Sequence, residues 1–282
     1  MPLKIAIIGA GSVGFTRRAV RDVLCVPELQ DTFFAFMDIN ERNVELTGQL
    51  CSRDIASAGL PAKVEVFADR REAIRDADYV FSFIRGGDLK ALEHDTDIPL
   101  KYGVDQCIAD TLAPGGIMYG QRAIPILLGI CKDISEVAKP RCRFISHSNP
   151  MAMNTWACNK YGYGVEYIGL CHGVEHGFSQ ICKALGLPKE EVNYICAGVN
   201  HQTWFIKVEH KGEDMIPKIL EGFENDPELA LNEKLRIDVL RRFGYYSTES
   251  NGHLSEYIQW YRKRPDEMAE KWMNPDSWST GE

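Results

Sequence analysis

After three residues the chain runs Lys4-Ile5-Ala6-Ile7-Ile8-Gly9-Ala10-Gly11-Ser12-Val13-Gly14. The apolar run, residues 4–9, does not alternate with polar residues, which suits a strand buried on both faces at the centre of a parallel sheet. A Gly-x-Gly-x-x-Gly turn follows at Gly9, Gly11 and Gly14, and a helix is expected over 17–24. The three glycines are expected to serve differently. Gly9 permits the tight turn, Gly11 lets a pyrophosphate approach the backbone, and Gly14 lets helix and strand pack closely. A second apolar strand, 33–37, ends on Asp38. An acid at that place suits the hydroxyls of a ribose. Strand, glycine turn, helix and acid together predict a dinucleotide site, with Gly9, Gly11, Ser12, Val13, Gly14 and Asp38 holding the cofactor, and Asp38 favouring NAD over NADP. A structural glycine turn with a solvated Asp38 is the plainer alternative.

Outward from this start the pattern repeats. Asn40 is a good N-cap for a helix reaching residue 58. Strands are expected at 64–67 and 79–84, with a short helix at 70–75 between them. Alternating strands and helices of this kind predict a doubly wound parallel sheet. Arg85-Gly86-Gly87-Asp88 breaks the chain at a strand's carboxyl end, where ligands of open α/β sheets bind. A long helix over 115–137, a strand over 142–146 entering Ser148-Asn149-Pro150, a helix over 151–160 and a strand over 167–170 follow. Residues 193–209 read as one strand-like stretch, and the chain from about 213 reads as mostly helical and charged. The expected division is a dinucleotide-binding domain over 1–155 and a metal and substrate domain over 156–282.

The 282 residues, 45% of them hydrophobic, can bury a sizeable core, and 32 basic against 40 acidic residues give a net charge of −8. No basic stripe is visible, which argues against nucleic acid or an anionic membrane as partner. The N-terminal apolar run is far too short for a signal peptide or a span, and no later run approaches about 18 apolar residues. A cytoplasmic protein is therefore expected. The nine cysteines include no Cys-x-x-Cys and read as reduced thiols.

Two short segments carry a different chemistry: Gly169-Leu170-Cys171-His172 and Gly198-Val199-Asn200-His201-Gln202. A thiolate and an imidazole suit a divalent transition metal, and a substrate chelating through vicinal hydroxyls can complete its coordination. Cys171 and His201 are the candidate ligands, the alternative being a buried cysteine and a core histidine. Ser148-Asn149-Pro150 resembles the Asn-Pro turn of lactate and malate dehydrogenases, and His201 falls where those enzymes carry their catalytic histidine. That likeness alone predicts a hydroxyacid dehydrogenase.

A narrower resemblance rests on several segments in order: Ile108-Ala109-Asp110-Thr111-Leu112-Ala113-Pro114-Gly115-Gly116-Ile117-Met118, Asn149-Pro150-Met151-Ala152-Met153-Asn154-Thr155-Trp156, the Cys171 and His201 segments, and Thr248-Glu249-Ser250 followed by His253 and Glu256-Tyr257. Together they resemble the NAD- and manganese-dependent glycoside hydrolases of family 4, within it the α-galactosidase (melibiase) branch. The resemblance implies a Rossmann-type α/β fold, lactate/malate dehydrogenase-like, followed by a mixed α+β, largely helical substrate region. It implies hydrolysis of α-galactosides or related α-glycosides in which NAD takes a hydride from C3 of the sugar, the C2 proton is removed, the aglycone leaves by elimination, and water and the hydride are then returned. The family is an exception to the two-carboxylate glycosidase mechanism.

Carried over by motif, Cys171 and His201 hold Mn²⁺, Asn149 and His172 meet the sugar, and Asp110 is the candidate acid for the departing oxygen. Asp110 could instead cap the helix that starts at Pro114-Gly115-Gly116. Tyr257 is the candidate C2 base, with Tyr246 and His253 as rivals. A tyrosine base needs positive charge nearby to lower its pKa. Tyr257, Trp260 and Tyr261 also share helical spacing, so a packing role is equally open. The phospho-glucosidase branch has an acidic residue after the metal cysteine, whereas His172 stands there here. Family members are also longer, with a C-terminal region that completes the pocket and makes oligomer contacts. The resemblance therefore implies a homo-oligomer, an incomplete second domain in this chain, and weak hydrolysis. An NAD-dependent hydroxyacid or sugar dehydrogenase, and an NAD-binding protein with little activity, are the other readings.

Overall fold

The apolar run after Leu3 forms strand β1 (Lys4–Ile8) in the computed structural model, which describes residues 2–258, 260–264 and 271–272. The polar stretch at 274–279 lies outside the described residues. In chain order β1 is followed by α1 (Val13–Leu24), β2 (Phe33–Met37), α2 (Glu41–Ser57), β3 (Lys63–Val66), α3 (Arg70–Ile74), β4 (Tyr79–Ser82), α4 (Asp88–Lys101), α5 (Ala113–Val137), β5 (Arg143–Ser146), α6 (Met151–Tyr161) and β6 (Glu166–Gly169). Beyond these come α7 (Gly173–Leu185), β7 (Val192–Val199), β8 (Gln202–His210), β9 (Glu213–Asp214), α8 (Ile216–Glu224), α9 (Pro227–Asn232), α10 (Lys234–Phe243) and α11 (Asn251–Tyr257).

The chain divides into two units, Met1–Asp88 with Tyr119–Leu170, and Leu89–Met118 with Cys171–Glu282. The first is built on a six-stranded parallel sheet of order β3-β2-β1-β4-β5-β6, the doubly wound order of dinucleotide-binding folds. β1 is central, and both its faces are covered. Ile5 and Ile7 pack with Val20 and Leu24 of α1 and Val44 and Ile55 of α2. Ala6 and Ile8 pack with Ala73 and Ile74 of α3 and Leu127 and Ile130 of α5. This two-sided burial is why the strand reads as a continuous apolar run. Asn40 caps α2, its side chain accepting from the Asn43 N–H at 3.0 Å.

This division differs from one at residue 155. β6 is the outer strand of the sheet and carries the first unit to Leu170, while residues 89–118 fall with the second unit. A strand that pairs across a sheet belongs to that sheet whatever its place in the chain, and sequence pattern alone does not show the pairing.

The second unit has an antiparallel sheet, β7-β8-β9, packed on helices. Phe178 and Ile181 of α7, Phe205 and Val208 of β8, Ile219 and Phe223 of α8, and Leu240 of α10 share its core. Residues 193–209 are two strands, not one. The chain reverses at Asn200-His201, a two-residue turn of the hairpin kind in which asparagine is common. Two further helices, α4 and α7, fill stretches for which the sequence pattern predicts no element. Among the described residues no helix is long and apolar enough to cross a membrane.

The three glycines of the first turn are not equivalent. Gly9 has φ +87°, and a Cβ there would lie 2.9 Å from the Phe83 carbonyl carbon. A Cβ on Gly11 would meet Asp38 Oδ2 at 2.8 Å. At Gly14 it would meet nothing within 4 Å, so the close helix–strand packing expected of this third glycine is not found. Gly9→Ala is therefore expected to destabilise by about 1–3 kcal/mol, whereas Gly14→Ala, inside α1, is expected to gain up to about 1 kcal/mol. Urea unfolding of both variants measures the contrast; equal losses would contradict it.

Candidate active site

In the first unit the glycine turn delivers the chain from β1 into α1. The Gly9 and Ala10 N–H groups donate to the Met37 carbonyl at 2.9 and 3.1 Å, tying the turn to the end of β2. Asp38, next in sequence, accepts from the Gly11 N–H through Oδ2 at 2.8 Å and from the Asn40 N–H through Oδ1 at 2.9 Å. One carboxylate thus binds the turn to the loop after β2. Ser12 stands at the N-cap of α1, but its side chain makes no capping hydrogen bond. The first-turn N–H groups of a twelve-residue helix are not capped from that side chain, the arrangement that receives a phosphate. Val13 and Phe15 are half-exposed, and Ile39 is 95% exposed beside Asp38. A helix head that its N-cap side chain leaves uncapped, an acid and an uncovered apolar residue fit an adenine dinucleotide. Asn149 follows β5 in the same unit, with a cis bond to Pro150; the neighbouring Ser148 carbonyl accepts from Asn154 Nδ2 at 3.1 Å.

In the second unit Cys171 and His201 come together. The Cys171 Sγ lies 3.4 Å from His201 Nε2 and also accepts from the Gly173 N–H at 3.4 Å. Cys171 immediately precedes the N-cap of α7, His172, so its sulfur sits at the positive end of that helix. His201 occupies the turn between β7 and β8 at φ +64°, a region that residues with a Cβ rarely adopt. A two-residue hairpin turn requires such a positive φ.

Burial drives the His201 imidazole down to about 2, with His253 and His172 adding repulsion, so the ring is neutral, the form that binds a metal. Its Nδ1 lies 3.3 Å from Glu249 Oε2 yet makes no aligned hydrogen bond. Glu249 is 4% exposed, and burial raises its carboxyl above the ordinary range. Cys171, His201 and Glu249 each offer a ligand atom within 4.8 Å of the others. Burial also raises the Cys171 thiol, with Glu249 acting in the same direction. A cation at this centre would relieve both, and a soft thiolate, a neutral imidazole and a carboxylate fit a divalent transition metal.

Asp110, His201 and His253 form a second such group within 4.8 Å. Asp110 is 9% exposed and accepts from Thr111 Oγ1 at 2.8 Å. At the start of α5 the Gly115 N–H goes to Gln106 Oε1 at 3.1 Å, so the neighbouring cap is a glutamine. Tyr257 lies on α11, its hydroxyl 3.2 Å from His253 Nδ1. Burial raises the Tyr257 phenol, and Glu256 and Asp110 push the same way. The protein's own charges therefore oppose a tyrosine base, and a bound cation would have to reverse that. Of its rivals, Tyr246 is fully buried, stacked on Phe223 and on the Arg236 guanidinium 4.2 Å from its ring centre, and serves the core. His253 is in the cluster, its ring edge-on to His201 with centroids 4.3 Å apart. His172 lies at the head of α7, where it is the N-cap residue.

Sequence reasoning passes over Glu249 and Glu256 as individuals. Glu249 lies beside His201. Glu256 pairs with His253 at 2.9 Å, three residues away on one helix face. The signals available are that i,i+3 spacing and the run Thr248-Glu249-Ser250, polar in sequence, in which Thr248 and Glu249 are buried.

Comparison with known proteins adds to this geometry. Residues 4–187 match the family 4 glycosyl hydrolase model, and residues 196–280 match the model of that family's C-terminal domain. The chain is 52% identical over 280 residues to an alpha-galactosidase of Rhizobium meliloti, covering 99% of this chain and 57% of that protein. It is 34% identical to an alpha-galactosidase of Bacillus subtilis, covering 93% of this chain and 60% of the relative. It thus spans about three fifths of the length of these relatives. Among solved structures, the Thermotoga maritima 6-phospho-beta glucosidase with manganese, NAD+ and glucose-6-phosphate superposes with a TM-score of 0.77 at 26% identity, over 91% of this chain and 59% of that one. The doubly wound sheet, the part-buried thiol beside a buried imidazole and these matches lead to one conclusion: the chain belongs to glycoside hydrolase family 4.

Proposed function

We propose that this chain carries the NAD and metal sites of a glycosidase that acts on α-galactosides and uses Mn²⁺ or a similar divalent transition metal. The observation that carries the reading is the Cys171 Sγ, 3.4 Å from the Nε2 of a buried, neutral His201, in a chain 52% identical to an alpha-galactosidase. When bound, NAD supplies a reversible hydride acceptor, and the metal supplies a Lewis acid for vicinal sugar oxygens.

The chain's own residues do the rest. Gly9, Gly11, Ser12, Val13 and Gly14 shape the phosphate turn, and Asp38 meets the ribose. Asn149 and His172 are the sugar contacts. Cys171 and His201 hold the metal. Asp110, buried beside His253, is the candidate proton donor to the departing oxygen. Tyr257 is the candidate base, its hydroxyl 3.2 Å from the His253 imidazole and so held at the edge of the Asp110 group. The protein is proposed to work in the cytoplasm as a homo-oligomer, as the family's C-terminal contacts imply.

The chain is incubated with an aryl α-galactoside, Mn²⁺ and a thiol reductant, with NAD at far below the substrate concentration. Release of the aryl group without net change in nicotinamide absorbance supports the reading. Stoichiometric NADH would establish a dehydrogenase instead, and NAD binding with neither signal would leave a nucleotide-binding protein. Cys171→Ser and His201→Asn are each expected to weaken Mn²⁺ binding, followed by the free-ion EPR signal, by at least about tenfold, or 1.4 kcal/mol, with NADH affinity unchanged. Unaltered Mn²⁺ affinity in both would remove these residues from the metal site.

A further inference from the structure

The side chain of Glu256 is completely buried, and its two oxygens do different things. Oε2 accepts three backbone N–H groups, from Cys107 at 3.0 Å and from Ile108 and Ala109 at 3.1 Å. Oε1 faces His253 Nδ1 at 2.9 Å. Three convergent N–H donors form an anion-binding nest, here filled by a side chain of the same unit. The loop they come from leads directly into Asp110, and Ala109 is held at φ +55°. The same loop is tied a second time, Arg262 donating through Nε to Asp105 Oδ2 at 2.9 Å and through Nη1 to Ser255 Oγ at 3.1 Å. His253 Nδ1 being engaged, Nε2 is the nitrogen left to the group it forms with Asp110 and His201.

We propose that Glu256 is a positioning residue that sets the tautomer of His253: it keeps the proton on Nδ1 and so presents the Nε2 lone pair to the Asp110–His201 centre, while fixing the backbone that carries Asp110. A carboxylate can only accept, so the nitrogen facing it must donate. The same choice governs Tyr257, whose oxygen lies 3.2 Å from His253 Nδ1. With Nδ1 carrying the proton, the Tyr257 oxygen can only be an acceptor toward that nitrogen. Orientation of a reacting imidazole by a buried carboxylate is the logic of the serine-protease triad, where an amide in place of the carboxylate selects the wrong tautomer.

Glu256→Gln separates the two oxygens without changing the side chain's shape. The nest of three donors requires an oxygen, so the amide NH₂ must face His253 Nδ1, and the ring proton must move to Nε2. Long-range ¹H–¹⁵N correlation on histidine-labelled protein, in alkaline buffer where the ring is neutral, reads this directly, with His253→Gln assigning the signal. The expected result is an Nδ1–H ring in the native chain and an Nε2–H ring in the Gln variant. An Nε2–H ring in the native chain overturns the inference, and that spectrum decides the matter even if the variant does not fold.

Glu256 acts in turnover only if the glycosidase reading of this centre holds; the tautomer does not depend on it. The Gln variant is expected to lower kcat on the order of 10–100-fold with KM little changed. A switched tautomer with native kcat would overturn the positioning role. A native chain that shows the Nδ1–H ring but hydrolyses no α-galactoside would count against the proposed function alone.

Discussion

Buried carboxylates need partners, and the second unit meets this need unequally. Glu256 is satisfied within the chain. Burial acts to raise its carboxyl, but His253 and the N–H groups of the 107–109 loop outweigh that and hold it below the ordinary range. Glu249 has no such nest among the described residues. It is pushed upward by burial and by Asp110, with Arg236 only partly offsetting. Like charges in a low-dielectric site raise one another unless a cation intervenes. One carboxylate is thus a finished piece of structure, and the other stands beside a thiol and a neutral imidazole, a donor set that fits a divalent transition metal.

The surrounding fold serves that contrast. The turn between β7 and β8 forces His201 to a left-handed backbone conformation, and the core beneath the hairpin, with Phe205 and Val208, holds it there. α7 begins just beyond Cys171, so the sulfur meets the positive end of a helix. Gly173 at that helix head allows Glu249 to approach: a Cβ there would lie within contact-forbidding distance of Oε1. Arg236, itself fully buried, is held by Glu233 at 3.0 Å and by the Ser247 carbonyl at 2.8 Å, which secures the segment leading to Glu249. The first unit, by contrast, needs no buried charge at its glycine turn. Its geometry follows from backbone donors and from one acid, Asp38.

Much of this is legible in the residues themselves. β1, the glycine turn, α1 and Asp38 are local in sequence, and apolar run, breaker and acid each announce their place. Cys171 and His201 stand out because a thiol and an imidazole each close an apolar strand-like segment. The split of residues 193–209 into a hairpin is less visible, since apolar residues continue on both sides of Asn200-His201. The division of the chain escapes pattern reading because α4 joins residues far from it in sequence. Gly14 matches its motif without having the packing role the motif assigns. The parts played by Glu249 and Glu256 depend on loops meeting through space: Glu256 reaches a loop 147–149 residues away, which no spacing rule encodes.

The centre around Cys171 and His201 is proposed to make the C2 proton of a sugar removable, and the proton's fate reports on this most directly. An aryl α-galactoside is turned over in D₂O with NAD and Mn²⁺, and the released sugar is followed by proton NMR. Deuterium at C2 is the predicted result. Turnover that leaves the C2 hydrogen in place would contradict it.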